Sequence, residues 1–447
     1  MSSEKVDRRT YTKVVAGTVV GLAVGAAIGW YAKPAPPAPA GPITLVFSTT
    51  SGARWEFAQK AVAEEYTKMH PNVRISFDAA PYNDWIRKLT IELTAKSGRY
   101  DIALVDYKYL GGYVSGGQIV KMPIEDSYIA DIKADVPESI WKMYIRDSTW
   151  WCIPTDGNCQ IYYYRKDLFD KAGLEPAKTW ADVLKIAKEL HNPPDMYGYA
   201  GTLGRFWTTD TFCTIFWTFG GSFFKKQADD YAEPEDATPT LNSEAGYRTA
   251  ELIVELVTKY GPPVSFPFDE DAVYGVFGGA GKVAQGPALW GGNVLTNPNL
   301  SKFADVTAAD ALVPADDKEP TRRATCMGGY GVTACYPGRN VDVVYDFLKY
   351  LTSKDVMRLY VANTGQPCRI SAYKDPENLK TSPYFYGLGL NLPYARVRPA
   401  IPEYSEIEDI IGVELDKAIT GEQTARQAMD NANKKVYDLF VKTGRIK

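Results

Sequence analysis

Asp106-Tyr107-Lys108-Tyr109 places an acceptor, a cation and two aromatic rings in four consecutive residues. Sugars offer hydroxyls to planar polar groups and C–H faces to rings, so such a segment suits a concave site for a polyhydroxylated ligand. Two carboxylates flanking a cleft can instead hydrolyse a glycoside, and Asp106 with Asp156 or Asp210 are the candidates for that chemistry. With only His70 and His191 in the chain, histidine zinc sites and Ser-His or Cys-His nucleophiles are disfavoured. No cofactor is expected. The 30 tyrosines and 10 tryptophans exceed what core filling alone explains, and favour aromatic ligand contacts.

The elements that position these residues follow from periodicity. Ile43 to Phe47, Val73 to Phe77 and Asp101 to Val105 read as strands. They are separated by helices carrying Trp55, Ala58, Val62 and Tyr66, then Trp85, Leu89 and Leu93. This β-α-β-α-β order predicts a parallel sheet with right-handed crossovers, with ligand beyond the carboxyl ends of the strands. Thr49, Thr50 and Ser51 then join Asp106 to Tyr109 at one candidate site. Further on, Gln160 to Tyr164 reads as a strand, and helices are expected around 179–190, 207–218 and 243–259. Another is expected after Asn340 as cap, and a last one from about Thr424 to Lys442.

The 447 residues exceed one ordinary core and argue for two lobes. A net charge of −4 argues against a nucleic-acid partner. No arginine cluster or acidic block stands out, so a strongly charged ligand is not expected. At the N-terminus, Arg8-Arg9-Thr10-Tyr11-Thr12-Lys13 precedes 19 uncharged residues, Val14 to Ala32, about the length that crosses a bilayer. Residues 1–32 are therefore an export signal or membrane anchor, with a look of the twin-arginine type, and 33–42 a Pro/Ala linker. The folded part begins near Ile43, outside the cell. There, Cys152, Cys159, Cys213, Cys326, Cys335 and Cys368 are candidates for disulfides, and Asn299 for glycosylation.

Several segments together resemble a known family. Ser97-Gly98-Arg99-Tyr100-Asp101-Ile102 and Gly111-Gly112-Tyr113 are similar to the first-lobe motif of extracellular solute-binding proteins of ABC importers, family 1, the maltose-binding cluster in particular. Tyr164-Arg165-Lys166-Asp167-Leu168-Phe169 with Lys178-Thr179-Trp180, Gly281-Lys282-Val283-Ala284-Gln285-Gly286, Gly328-Gly329-Tyr330-Gly331-Val332 and Arg398-Pro399-Ala400-Ile401-Pro402 match in the same order.

The resemblance implies an α/β, two-lobed periplasmic-binding-protein-like fold of type II. Its hinge crossings would fall near Thr155–Cys159, Ala309–Pro314 and Asn363–Pro367. Residues 43–156 and 313–364 would form lobe 1, and 157–310 and 366–447 lobe 2. It implies a non-enzymatic protein that closes on a solute and presents it to a membrane permease, with residues 14–32 as the membrane contact if retained. A sugar or oligosaccharide is the expected solute, with a peptide or polyol as alternative. A glycoside-acting enzyme and a surface structural protein are the more distant readings.

The resemblance also directs attention to particular residues. Asp156 and Asn158 follow the first crossing, Trp207 and Asp210 precede an apolar helix, and Trp290 lies two residues beyond the maltose-type stacking position. Gly328, Gly329 and Tyr330 would line the cleft, and Tyr404 would offer a second platform. The family usually has a tryptophan where this chain has Val105, so stacking there falls to Tyr107 or Tyr109. Adjacent tyrosines bind ferric iron in metal-carrying relatives. In a strand, however, Tyr162, Tyr163 and Tyr164 cannot all converge, which makes them packing residues.

Overall fold

The computed structural model describes residues 42–446, apart from 124, 147, 205, 229, 232, 265–267, 291, 293, 314–322, 382 and 400. The expected export segment and nearly all of the linker therefore lie outside the described residues, as does part of the second expected crossing. Among the described residues, no helix is long and apolar enough to cross a membrane.

Two sheets organise residues 44–447, which form one compact unit. Their strands are β1 (Ile43–Thr50), β2 (Val73–Ala80), β3 (Ile102–Asp106), β4 (Ile153–Cys159), β5 (Ile161–Arg165), β6 (Gln285–Leu289), β7 (Thr307–Asp310), β8 (Thr325–Ala334) and β9 (Ala395–Arg396). The larger sheet runs β9-β8-β3-β1-β2, with β4 added on β8; the smaller runs β6-β5-β7. β1 and β3 are parallel, Phe47 opposite Ile102, as the alternating pattern predicts. β8 then enters antiparallel to both β3 and β4. β3, β4, β5 and β8 are buried along their whole length, and their mostly apolar or uncharged sequences carry only Asp106, Asp156 and Arg165 as charged residues. Gln160 alone separates β4 from β5, so the chain passes directly from the large sheet to the small one. Asp156 also bridges to Pro367, which brings two of the expected crossings side by side.

The helices begin where their capping residues dictate. Thr179 accepts from Asp182 N while the Asp182 side chain accepts from Thr179 N, a reciprocal box that starts Trp180–Leu190. Thr424 and Gln427 do the same for Ala425–Thr443, and Ser243 caps Glu244–Glu255. Asn340 precedes Val341–Leu351 but makes no side-chain cap, because its backbone is left-handed at φ 50°.

The cysteines correct the expectation of disulfides, since all six are free and buried. Sheet register supplies one reason. Cys159 lies opposite Met327, one residue past Cys326, so the two neighbouring thiols point to opposite faces. Asn299 is exposed, whereas the Ser301 hydroxyl of its sequon is buried and donates to Gly278 O at 3.3 Å.

Glu414 joins the last two helices. Its side chain is 1% exposed and accepts from Lys417 at 3.0 Å, Lys435 at 2.6 Å and Gln423 at 2.9 Å. Burial alone would raise this carboxyl, but the three donors outweigh it and hold it at about 2, against an ordinary 4.5. A depressed folded-state pKa contributes stability above the unfolded value and loses it as pH falls through the folded one. Glu414→Gln is expected to cost about 1.5–3 kcal/mol in urea unfolding at neutral pH. That difference should shrink as pH is lowered from 4.5 towards 2.

Candidate functional site

Sheet register brings three polar side chains into one row. Tyr330 on β8 lies opposite Asp106 on β3 and opposite Asp156 on β4. Two residues away along the same pair, Asn158 faces Gly328. Beside this row lies a narrow cavity of about 20 Å³. Its walls include Asp106, Lys108, Asn158, Gly328, Gly329 and Tyr330, with Trp207, Asp210 and Trp290 arriving from the segments around the small sheet. Arg54, Tyr82, Glu270 and Arg398 complete the lining.

The charges are paired and almost dry. Arg54, just past β1, donates to Glu270 at 3.0 Å and to the Tyr274 hydroxyl at 3.4 Å. Lys108, just past β3, reaches both oxygens of Glu408, at 3.0 and 3.1 Å, with side chains 3% and 4% exposed. Arg398 pairs with Asp210, and its Nε donates to the Tyr107 hydroxyl at 2.9 Å. Asp106 accepts from the Tyr82 hydroxyl at 2.6 Å and from Lys108 N at 3.3 Å.

Burial is the largest influence on the acids. It pushes the Asp156 carboxyl up to about 7, with Arg54 pulling down and Asp106 and Glu270 adding to the rise. It also raises Glu408 towards about 7 against the pull of Lys108. Burial would lower the Lys108 ammonium, yet Glu408 lifts it above its ordinary value. These two shifts point to different states of one pair; two short contacts from one ammonium to both oxygens favour the ionised state.

Aromatic rings form the rest of the wall. Trp207 stands 5.6 Å from Tyr82, and Tyr330 packs edge-on to Trp55 at 5.1 Å. Trp290 is buried against Gly328, where an added Cβ would meet its ring at 2.8 Å and Asn158 Oδ1 at 2.1 Å. Glycine at 328 therefore permits the close approach of Asn158 and Trp290.

Several expected residues lie elsewhere. β1 continues to Thr50, three residues past its expected end, so Thr49 and Thr50 are buried strand residues and Thr49 donates to Gln59 at 2.7 Å. Ser51 is tied by its N–H to Ala80 O, and none of the three lines the cavity. Tyr107 turns its hydroxyl to Arg398, and Tyr109 lies outside the lining. Tyr404 is a core residue, 1% exposed, packed against Phe223. Tyr162 and Tyr163 are committed to Gln285 and Gly292 O, at 2.7 and 2.8 Å.

Arg54, Tyr82, Glu270 and Glu408 escaped the sequence reading altogether. Arg398 stood in a recognised motif without an assigned role. No stretch of sequence shows this concentration of ionisable groups, because they converge only through the fold.

The sequence model of the family described as bacterial extracellular solute-binding protein matches residues 51–358. A probable amino-acid ABC transporter periplasmic-binding protein of Sinorhizobium fredii is 26% identical over 411 residues, 89% of each chain. A solute-binding protein of Agrobacterium radiobacter K84 in complex with ribitol superposes with a TM-score of 0.77 at 20% identity, covering 90% of this chain and 100% of that one. A maltose-bound protein of T. maritima gives a TM-score of 0.78 at 18% identity, covering 89% and 100%.

Removing Asp210 would leave the Arg398 guanidinium buried without its closest carboxylate. Asp210→Ala is expected to lower unfolding free energy by about 3–5 kcal/mol, with Asp210→Leu plus Arg398→Met recovering most of that loss in the same denaturant titration.

Proposed function

Because the chain belongs to the bacterial extracellular solute-binding protein family, we propose that it captures a small polyhydroxylated solute, a sugar or polyol, in this cavity and delivers it to an ABC transporter permease. The observation that carries the reading is the combination of aromatic walls with fixed polar groups around one enclosed space. Trp207, Trp290 and Tyr82 offer ring faces, and Asp106, Asn158 and Lys108 offer hydrogen-bond partners. Within the described residues, Asn158 Oδ1 and Trp290 Nε1 are buried with no partner. A hydroxyl can donate to Asn158 Oδ1, and a second oxygen can accept from Trp290 Nε1.

The two sheets define the two lobes in this reading, with Gln160 at the first crossing. Residues 1–32 export the chain or anchor it, so that it works at the outer face of the cell membrane. Two of the three candidate carboxylates are already engaged: Asp210 is held by Arg398, and both Asp106 oxygens accept hydrogen bonds.

Tryptophan fluorescence and thermal melting against neutral mono- and disaccharides, polyols and short peptides test the proposal. At least one sugar or polyol is expected to bind unaltered and raise the melting temperature, and Trp290→Ala should weaken it about tenfold or more. A response to peptides alone, or turnover of a glycoside, would overturn it.

A further inference from the structure

Among the described residues, the charges in and beside the cavity do not balance. Each described cation of its lining is already matched: Arg54 by Glu270, Lys108 by Glu408 and Arg398 by Asp210. Two further carboxylates, Asp106 and Asp156, have no basic side chain within ion-pair distance among the described residues. Asp106 is satisfied by the Tyr82 hydroxyl and a backbone N–H. Asp156 is not satisfied. It is fully buried, its Oδ1 accepts from Asn158 Nδ2 at 2.9 Å, and its Oδ2 has no partner among the described residues.

That same hydrogen bond fixes the Asn158 amide, since the reversed amide would set oxygen against oxygen. Asn158 is 1% exposed and lines the cavity, and its remaining acceptor, Oδ1, faces the space that a side chain at Gly328 would fill. Two buried acceptors thus lack a donor among the described residues: Asn158 Oδ1 in the lining near Trp290, and Asp156 Oδ2 on the carboxylate that Asn158 Nδ2 joins from behind.

Resting on the solute-binding reading above, we propose that the solute carries a protonated amine, received by Asp156 and Asn158: an amine-bearing sugar or polyol in preference to its neutral or acidic counterpart. An ammonium supplies three donors and the missing positive charge together. A hydroxyl in its place can donate but adds no positive charge to the partial pull of Arg54 on the buried carboxylate. An acidic group adds negative charge where each described cation of the lining is already engaged.

Isothermal titration of the purified protein with matched triads tests this directly. The triads are D-glucitol, 1-amino-1-deoxy-D-glucitol and D-gluconate, and D-glucose, D-glucosamine and D-glucuronate. The amine of at least one triad is expected to bind tenfold or more tighter than its neutral partner, with the acid weakest. Asp156→Asn, isosteric and checked for folding by its melting curve, should bring the amine-to-neutral ratio to near one. Neutral compounds binding as tightly as their amines would overturn the inference and leave the solute-binding reading standing. So would a preference for amines that survives Asp156→Asn. Silence from every neutral and charged sugar, polyol and peptide would overturn both.

Discussion

Burying a charge in a protein costs several kcal/mol unless a partner of opposite sign meets it in good geometry. Arg54, Lys108 and Arg398 are nearly inaccessible, with side chains 5%, 3% and 3% exposed, and each has such a partner. Two of those partners come from far along the chain. Arg54 follows β1 of the large sheet, while Glu270 opens the segment that leads into β6 of the small one. Lys108 follows β3, while Glu408 belongs to helix Tyr404–Ile419, which packs with the small-sheet half. The cavity therefore exists in one arrangement of the two sheets. Separating them would leave charges to be rehydrated, and closing them wrongly would leave charges unpaired.

This constraint also explains why the fold was legible in the sequence and the site only partly so. Strands announce themselves locally: Ile43 to Phe47 and Asp101 to Val105 alternate or run apolar, and the structure extends the first only to Thr50. Helix starts are equally local, since Thr179 with Asp182 and Thr424 with Gln427 sit three residues apart. Asp106, Lys108, Asn158, Trp207, Asp210 and Trp290, which line the cavity, could be named from the sequence because they sit beside such elements or within motifs. Arg54 and Glu270 are 216 residues apart and Lys108 and Glu408 are 300, so no window of sequence contains either pair. Tyr404 shows the reverse error: a tyrosine after Ile401-Pro402 resembles a ligand platform, yet helix Tyr404–Ile419 turns it into the core.

A solute held here would meet both halves of the molecule at once. Asn158 and Gly328 stand on the large sheet, while Trp290 comes from just beyond β6 of the small one. Only a ligand that contacts both sides favours the closed arrangement over the open one. In the proposed two-lobed reading, the paired charges would be a second determinant of closure beside the solute.

Small-angle X-ray scattering of the full chain, wild type against Glu270→Gln combined with Glu408→Gln, tests that claim most directly. Both substitutions keep the side chains' shape and remove the charges that hold Arg54 and Lys108. The account predicts a larger radius of gyration for the variant, with the secondary structure unchanged by circular dichroism. Identical scattering from the two proteins would contradict it and leave the ion pairs as bystanders to closure.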